Sequence, residues 1–163
     1  MGADGGNGFV LLVVRDDSGW RVDRLPDGLQ ADLEALIAAL RQQLAEGGAL
    51  AMVDVADEFF VAVRVTPAGD VRLLLSDVTA AVEWDLARQV LEHLGTDLPE
   101  EDDLDEVWPA GDVGIFADLG LSEMDCGAIL DNLDLYADEM LLDVARRIGF
   151  ADAFQAAVDT AVR

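Results

Sequence analysis

The side chains of this sequence that could take part in catalysis are a lone cysteine, a lone histidine and many carboxylates. Cys126 could act as a nucleophile only beside a base, and His93 is the one histidine available. One thiolate and one imidazole cannot by themselves complete the tetrahedral ligand set of a zinc site. A zinc nucleobase deaminase needs a His-x-Glu pair and a later Pro-Cys-x-x-Cys, and the sequence has neither. We therefore interpret Cys126 as a small buried residue and His93 as a residue that complements a helix C-terminus.

Carboxylates are the ligands that hard cations prefer, so calcium is the metal that fits this composition best. The nearest match to a calcium-binding loop places Glu101, Asp103, Asp105 and Asp112 at positions 1, 3, 5 and 12. Glu106 occupies the sixth position, where such a loop needs glycine. We expect a solvated acidic loop and no metal or other cofactor. Carboxylate pairs suited to glycoside hydrolysis arise by chance in so acidic a chain, so they single out no catalytic residue. We expect the chain not to be an enzyme.

The charge of the chain restricts its possible partners. The 163 residues include 34 acidic and 10 basic side chains, which gives a formal net charge of −24. Seventeen of the acidic side chains lie between residues 89 and 145, where there is no arginine or lysine. Nucleic acids and anionic membrane surfaces would be repelled, so we expect no direct contact with either. The acidic window is either a solvated face that keeps the protein soluble or a docking surface for a basic protein.

The densest acidic stretch supplies the candidate partner-binding residues. Residues 99–106 read PEEDDLDE, and a tryptophan follows shortly afterwards in a polar loop. The residues predicted to contact a basic partner are Glu100, Glu101, Asp102, Asp103, Asp105, Glu106 and Trp108. Tryptophan is enriched at interface hot spots, but the sequence favours the alternative, in which Trp108 anchors this segment on the body of the protein.

Hydrophobic patterning predicts an α+β fold that positions these residues. Short apolar runs and amphipathic stripes occur in the order β-β-α-β-β-β-α, and the short turns favour one five-stranded antiparallel sheet. We predict a flexible tail over residues 1–8, an α+β body over 9–95, an acidic linker over 96–112, and a C-terminal helical region over 113–163 that packs on the body. The element order resembles profilin-like and longin-type sheets, many of which serve as interaction modules.

The expected location is the cytoplasm. A lone cysteine cannot form an intramolecular disulfide, which favours a reducing compartment. The first residues lack the basic region of a signal peptide, and no apolar run is long enough to cross a bilayer.

Two stretches of the sequence resemble a known family as wholes. Residues 70–95 read DVRLLLSDVTAAVEWDLARQVLEHLG, and residues 109–150 read PAGDVGIFADLGLSEMDCGAILDNLDLYADEMLLDVARRIGF. They resemble the actinobacterial tRNA adenosine deaminase-associated proteins, and the similarity covers nearly the whole chain after the N-terminal tail. The resemblance implies an association with the tRNA adenosine deaminase, the enzyme that makes inosine in tRNA anticodons. It carries over no catalytic or binding positions.

The leading hypothesis is therefore a non-catalytic accessory or regulatory protein that binds the tRNA adenosine deaminase, or another basic protein, through an acidic surface. The alternative is a homo-oligomeric structural or chaperone-like α+β module whose acidity serves solubility only. A third class, a carboxylate-dependent hydrolase or divalent-metal protein, would respond to calcium or magnesium with a thermal shift.

Overall fold

A six-stranded antiparallel sheet with helices on both faces forms the centre of the molecule. The computed structural model describes residues 8–17, 19–43 and 48–159. The strands follow the spatial order β2-β1-β3-β4-β5-β6 and comprise β1 (Gly8–Asp16), β2 (Gly19–Leu25), β3 (Ala49–Val55), β4 (Phe59–Val65), β5 (Val71–Leu75) and β6 (Ala110–Gly111). The helices are α1 (Leu33–Arg41), α2 (Asp85–Leu94), α3 (Glu123–Asp131), α4 (Ala137–Ile148) and α5 (Ala151–Asp159). Short 3₁₀ segments occupy Asp27–Ala31, Val78–Val82, Glu101–Asp103 and Ala117–Leu119.

The central strands are buried on both faces because each face is covered by its own set of helices. All seven residues of β3 and all seven of β4 are buried. Successive side chains of a strand point to opposite faces, so Leu12 of β1 packs with α1 and α2 in a first core, and its neighbour Leu11 packs with α3, α4 and α5 in a second core. This double coverage explains why the strands read as continuous apolar runs and do not alternate with polar residues.

Capping residues fix where several helices begin. Asp32 accepts a hydrogen bond from the backbone N–H of Ala35 at the start of α1, and Ser122 does the same for Asp125 at the start of α3. Gly149, with a φ of 117°, ends α4 in the left-handed conformation that favours glycine. None of the helices in the described part of the chain is long and apolar enough to cross a membrane.

The prediction of an α+β fold with an antiparallel sheet is confirmed, but the predicted count of five strands is wrong. The sixth strand, β6, lies within the predicted linker 96–112 and pairs with Leu74 and Leu75 of β5. Gly111 permits this pairing because its φ is 103° and a Cβ atom there would collide with the carbonyl oxygen of Leu73. A two-residue strand has no hydrophobic period from which it could be predicted. Gly8, the last residue of the predicted tail 1–8, begins β1, and residues 1–7 lie outside the described residues.

A buried arginine ties the segment before α3 to the sheet. Arg64 on β4 is only 3 % exposed. Its guanidinium donates to the carbonyl oxygen of Ile115 at 2.9 Å and to both carboxylate oxygens of Asp118, at 2.5 and 2.8 Å. The hydrogen bond from Arg64 is the main reason why the pKa of Asp118 is lowered. This bidentate pair holds the chain that leads from β6 to α3 against the second core.

Replacement of Asp118 by alanine is expected to destabilise the fold by about 2 kcal/mol at neutral pH, because the guanidinium of Arg64 then stays buried without its carboxylate. The double variant Arg64→Met, Asp118→Ala should recover part of this loss, since it removes the buried charge as well. The measurement is urea-induced unfolding followed by circular dichroism.

The matched control is Asp23→Ala, which removes an exposed carboxylate from its pair with Arg21 and should change stability by less than about 0.5 kcal/mol. An equal effect of Asp118→Ala and Asp23→Ala would show that the Arg64–Asp118 pair contributes no more than an ordinary surface pair. The effect of Asp118→Ala should also shrink as the pH falls, because a carboxyl whose pKa is lowered by folding stabilises only while it is ionised.

Candidate functional site

A cavity of about 490 Å³ lies where the turn between β3 and β4 meets the start of α4. Asp57 and Glu58 of that turn form one wall, and residues between 76 and 84, which follow β5, form the second. The third wall consists of residues between 133 and 140, in the loop before α4 and its first turn, and Val107 completes the lining. Ligand sites in proteins typically enclose about 300–1,000 Å³, so the cavity is large enough to hold a ligand.

Large apolar side chains surround the opening of this cavity. Tyr136 is 68 % exposed, Leu133 is 65 % exposed and Val107 is 46 % exposed. They are three of the seven exposed large apolar side chains in the described part of the molecule, and all three line the same cavity. A contiguous exposed apolar patch with a polar rim marks an interaction site more often than scattered single residues do.

The charged groups of the cavity are acidic, and hydrogen bonds hold two of them in place. Four carboxylates belong to its lining, those of Asp57, Glu58, Asp77 and Glu83. None of the described residues that line it is an arginine or histidine. Glu58 accepts a hydrogen bond of 2.9 Å from the indole Nε1 of Trp84. Asp77 accepts hydrogen bonds from the backbone N–H and the hydroxyl of Thr79, at 2.9 and 2.7 Å. The cavity therefore combines an apolar surface with negative charge that faces solvent.

The turn that carries Asp57 has an uncommon backbone conformation. Ala56 and Asp57 have φ values of 54° and 58°, and the N–H of Glu58 donates to the carbonyl oxygen of Val55 at 3.0 Å. Two successive residues with positive φ give the hairpin turn that matches the twist of the flanking strands, although a residue with a Cβ atom costs about 1–2 kcal/mol there. The first N–H of α4, from Ala137, donates to the carbonyl oxygen of Asp57 at 3.4 Å and joins two walls of the cavity.

A buried carboxyl group lies on β3 next to this turn. Asp54 is 1 % exposed, and burial raises its pKa to about 8, with further contributions from a hydrogen bond to Asp57 and from the charges of Asp57 and Asp138. Burial and the charge of Asp57 also raise the pKa of Asp138. Asp54 is therefore largely protonated at neutral pH. No cluster of three or more His, Cys, Asp or Glu side chains within the described residues has the geometry to hold a metal ion.

The residues predicted from the sequence to contact a partner lie outside the lining of the cavity, although Val107, which lies between Glu106 and Trp108 in the sequence, belongs to it. All of them are exposed except Asp103 and Trp108, which are half-buried, and a 3₁₀ turn at Glu101–Asp103 carries part of the acidic stretch. Trp108 packs against the first core, and its carbonyl oxygen accepts a hydrogen bond of 2.8 Å from the N–H of Val78. The structure thus supports the anchoring interpretation of Trp108 and leaves its contact with a partner a prediction.

Sequence reasoning missed the residues that form the cavity. Leu133 and Tyr136 interrupt the polar stretch DNLDLYADE, residues 131–139, and apolar residues in a polar loop were the available signal. No local sequence pattern predicts that they share a cavity with Glu58, because the cavity depends on how α4 packs on the turn after β3.

The lone cysteine has the environment of a structural residue. Cys126 is buried on α3, as predicted. Burial is the main reason why its pKa rises to about 11, and Asp112 and Glu123 add to the increase. A thiol with so high a pKa is a poor nucleophile at neutral pH. His93 lies in the last turn of α2.

Comparison with known proteins identifies relatives of the chain by sequence and none by solved structure. A family described as Rv3753c-like tRNA adenosine deaminase-associated protein matches residues 8–151. Protein Rv3753c of Mycobacterium tuberculosis (strain ATCC 25618 / H37Rv) is 43 % identical over 159 residues, which cover 96 % of this chain and 91 % of that protein. No solved structure matches the chain. The resemblance found from the residues is confirmed.

The raised pKa of Asp54 predicts a stability that depends on pH. A carboxyl whose pKa is raised by folding contributes fully below its unfolded pKa of 3.8, and this contribution is lost as the pH rises toward about 8. Asp54→Asn keeps the shape and a hydrogen-bond donor but releases no proton. We expect the variant to gain stability relative to the natural chain as the pH rises, by at most about 1.4 kcal/mol per pH unit. Urea unfolding of both proteins at about pH 5 and about pH 8 measures the difference.

The control for this experiment is Asp70→Asn, in the exposed turn between β4 and β5. Its stability difference from the natural chain should stay constant over the same pH range. Asp118 acts in the opposite direction but is present in every protein compared, so its contribution cancels. A difference for Asp54→Asn that is independent of pH would contradict the prediction.

Proposed function

Because the chain belongs to the family of Rv3753c-like tRNA adenosine deaminase-associated proteins, we propose that it binds the tRNA adenosine deaminase through its acidic surface and regulates it without a catalytic step of its own. The family name itself implies an accessory role. We infer that the binding is direct and that a basic surface of the deaminase contacts the acidic segment 100–106.

The observation that carries the proposal is the location of the negative charge. The acidic segment 100–106 is largely exposed and lies in a window without arginine or lysine. An enzyme that acts on tRNA needs a positively charged surface, because contacts to phosphates supply much of the affinity for nucleic acids. A basic surface of that kind and the acidic segment are complementary in charge. Such complementarity increases the rate of association and selects the partner.

The proposed contact also suggests a regulatory mechanism. A protein that covers the basic surface of the deaminase competes with tRNA for it, since both ligands are anionic. In that case the accessory protein lowers deamination at low ionic strength, and tRNA in excess displaces it. The carboxylates of segment 100–106 are the groups that take the place of phosphates in this competition.

The alternative, a homo-oligomeric structural or chaperone-like module, uses the same charge for solubility only. It predicts that neutralisation of the acidic segment changes solubility and no binding event. The two functions therefore differ in one measurable result.

The test is co-expression of the chain with the deaminase of the same organism, followed by size-exclusion chromatography at low and high salt. We expect co-elution at about 50 mM salt and loss of the complex at about 500 mM, because exposed charges are screened over about 4 Å or less at the higher concentration. Conversion of the six acidic residues of segment 100–106 to their amides should weaken the complex about tenfold or more. Trp108→Ala tests the tryptophan separately.

The matched control neutralises six exposed acidic residues outside that segment, namely Asp17, Glu34, Asp70, Glu92, Asp152 and Asp159. It removes the same net charge and should weaken the complex much less. Absence of a complex at low salt, together with unchanged deamination of tRNA, would reject the proposal. Equal effects of the two neutralised variants would show that net charge alone, and no particular surface, is responsible.

A further inference from the structure

We propose that the cavity between the β3–β4 turn and α4 binds a short peptide segment of the partner protein, in which an apolar side chain is flanked by arginine or lysine. This second contact is separate from the acidic segment 100–106, none of whose residues lines the cavity. This inference rests on the proposed function in one respect, since the bound peptide segment is taken to belong to the tRNA adenosine deaminase.

The apolar half of the site consists of side chains that the fold leaves uncovered. Tyr136 and Leu133 stand at the opening, and Met140 and Trp84 line the cavity behind them. The two rim residues contribute little to either core, because most of their surface faces solvent. An apolar side chain inserted between them would remove this surface from water, which is the favourable contribution that anchors most protein interfaces.

The charged half of the site selects the flanking residues of the ligand. The lining presents four carboxylates, those of Asp57, Glu58, Asp77 and Glu83. The described residues of the lining include no positive charge to neutralise them. A phosphate, a nucleic acid or an anionic lipid would be repelled. Arginine and lysine are attracted, and arginine also stacks on aromatic rings such as those of Trp84 and Tyr136.

The site is held in place before a ligand arrives. The hydrogen bond from Ala137 to the carbonyl oxygen of Asp57 joins the turn to α4. The Trp84–Glu58 hydrogen bond joins the same turn to the segment after β5. A preformed cavity binds with a smaller entropic cost than one that must be ordered.

The cavity is continuous with the acidic segment along the chain. Val107 lines the cavity and directly follows Glu106, the last acidic residue of the segment 100–106. A basic stretch of the partner that lies along the segment is thereby brought to the opening. The segment attracts and orients the partner, and the cavity anchors it.

The test uses the full-length chain and a fluorescein-labelled peptide of alternating arginine and leucine, with binding followed by fluorescence anisotropy. We expect saturable binding of this peptide. A peptide of alternating arginine and serine should bind at least about tenfold more weakly because it has no apolar anchor. A peptide of alternating glutamate and leucine should bind at least about tenfold more weakly because its charge is repelled.

Variants of exposed residues show whether the peptide occupies the cavity. Leu133→Ser combined with Tyr136→Ser should raise the Kd about tenfold. Serine is a favourable residue at the start of a helix, so α4 should keep its N-terminus. Glu58→Gln combined with Glu83→Gln should raise the Kd about fivefold.

Matched controls carry the same changes outside the cavity. Met124→Ser alters an apolar side chain on α3 that is 84 % exposed, and Asp152→Asn with Asp159→Asn removes two exposed charges from α5. Both should leave the Kd within about twofold. Circular dichroism melts of every variant verify that the fold is retained.

Four outcomes would overturn the proposal. The first two are absence of peptide binding and equal effects of the cavity and control variants. The other two are competition by spermidine that is as effective as competition by unlabelled peptide, and a self-association of this chain that the cavity variants abolish. The last two would assign the cavity to a small cation or to a second copy of the chain.

The two proposals can fail independently. If the deaminase co-elutes but the peptide does not bind, the cavity proposal is wrong and the proposed function stands. If the peptide binds in the cavity but the deaminase does not co-elute, the proposed function is wrong and the cavity remains a site for a basic segment. Displacement of the deaminase by the arginine–leucine peptide, but not by the arginine–serine peptide, supports both.

Discussion

Burial of the sheet on both faces is the constraint on which the rest of the structure depends. Every side chain of β3 and β4 is enclosed by helices, so a polar group on these strands is costly to bury. Asp54, Arg64 and Ser76 are the buried polar or charged residues among those described. Arg64 pairs with Asp118, and the hydroxyl of Ser76 accepts a hydrogen bond of 2.9 Å from a backbone N–H of β4. Almost all other charged side chains among the described residues lie at the surface. Because acidic residues far outnumber basic ones, that surface is strongly negative.

The same constraint places the cavity. Helices on opposite faces of the sheet can approach one another beyond the ends of the strands, and the turn after β3 is such an end. The cavity is lined from the first-core side by residues around the 3₁₀ segment Val78–Val82, and from the second-core side by the start of α4. It is therefore a junction of the two helical layers, built from segments that lie far apart in sequence.

The sequence predicts what local pattern determines and misses what tertiary packing determines. The strands of the body were predictable because an apolar run such as Phe9–Val14 is bounded by turn residues, whereas Ala110–Gly111 pairs with β5 only because the chain returns to that edge. The acidic segment could be located from the sequence alone, because its charged residues are consecutive or nearly so. The apolar opening formed by Tyr136 and Leu133 could not, because it needs the packing of α4, and the raised pKa of Asp54 could not, because it needs the burial of β3.

The single charged residues inside the two central strands also act on the unfolded chain. Each strand is a seven-residue apolar run with one interruption, Asp54 in ALAMVDV and Arg64 in FFVAVRV. Runs of this kind, rich in β-branched and aromatic residues, form intermolecular sheets when they are exposed during synthesis or unfolding, and a charge within or beside them opposes this. In the unfolded chain the pKa of Asp54 returns to its ordinary value of 3.8, so the carboxyl is ionised at neutral pH. A charge in each run therefore opposes intermolecular strand pairing of the unfolded chain, and folding then buries this carboxyl and this guanidinium.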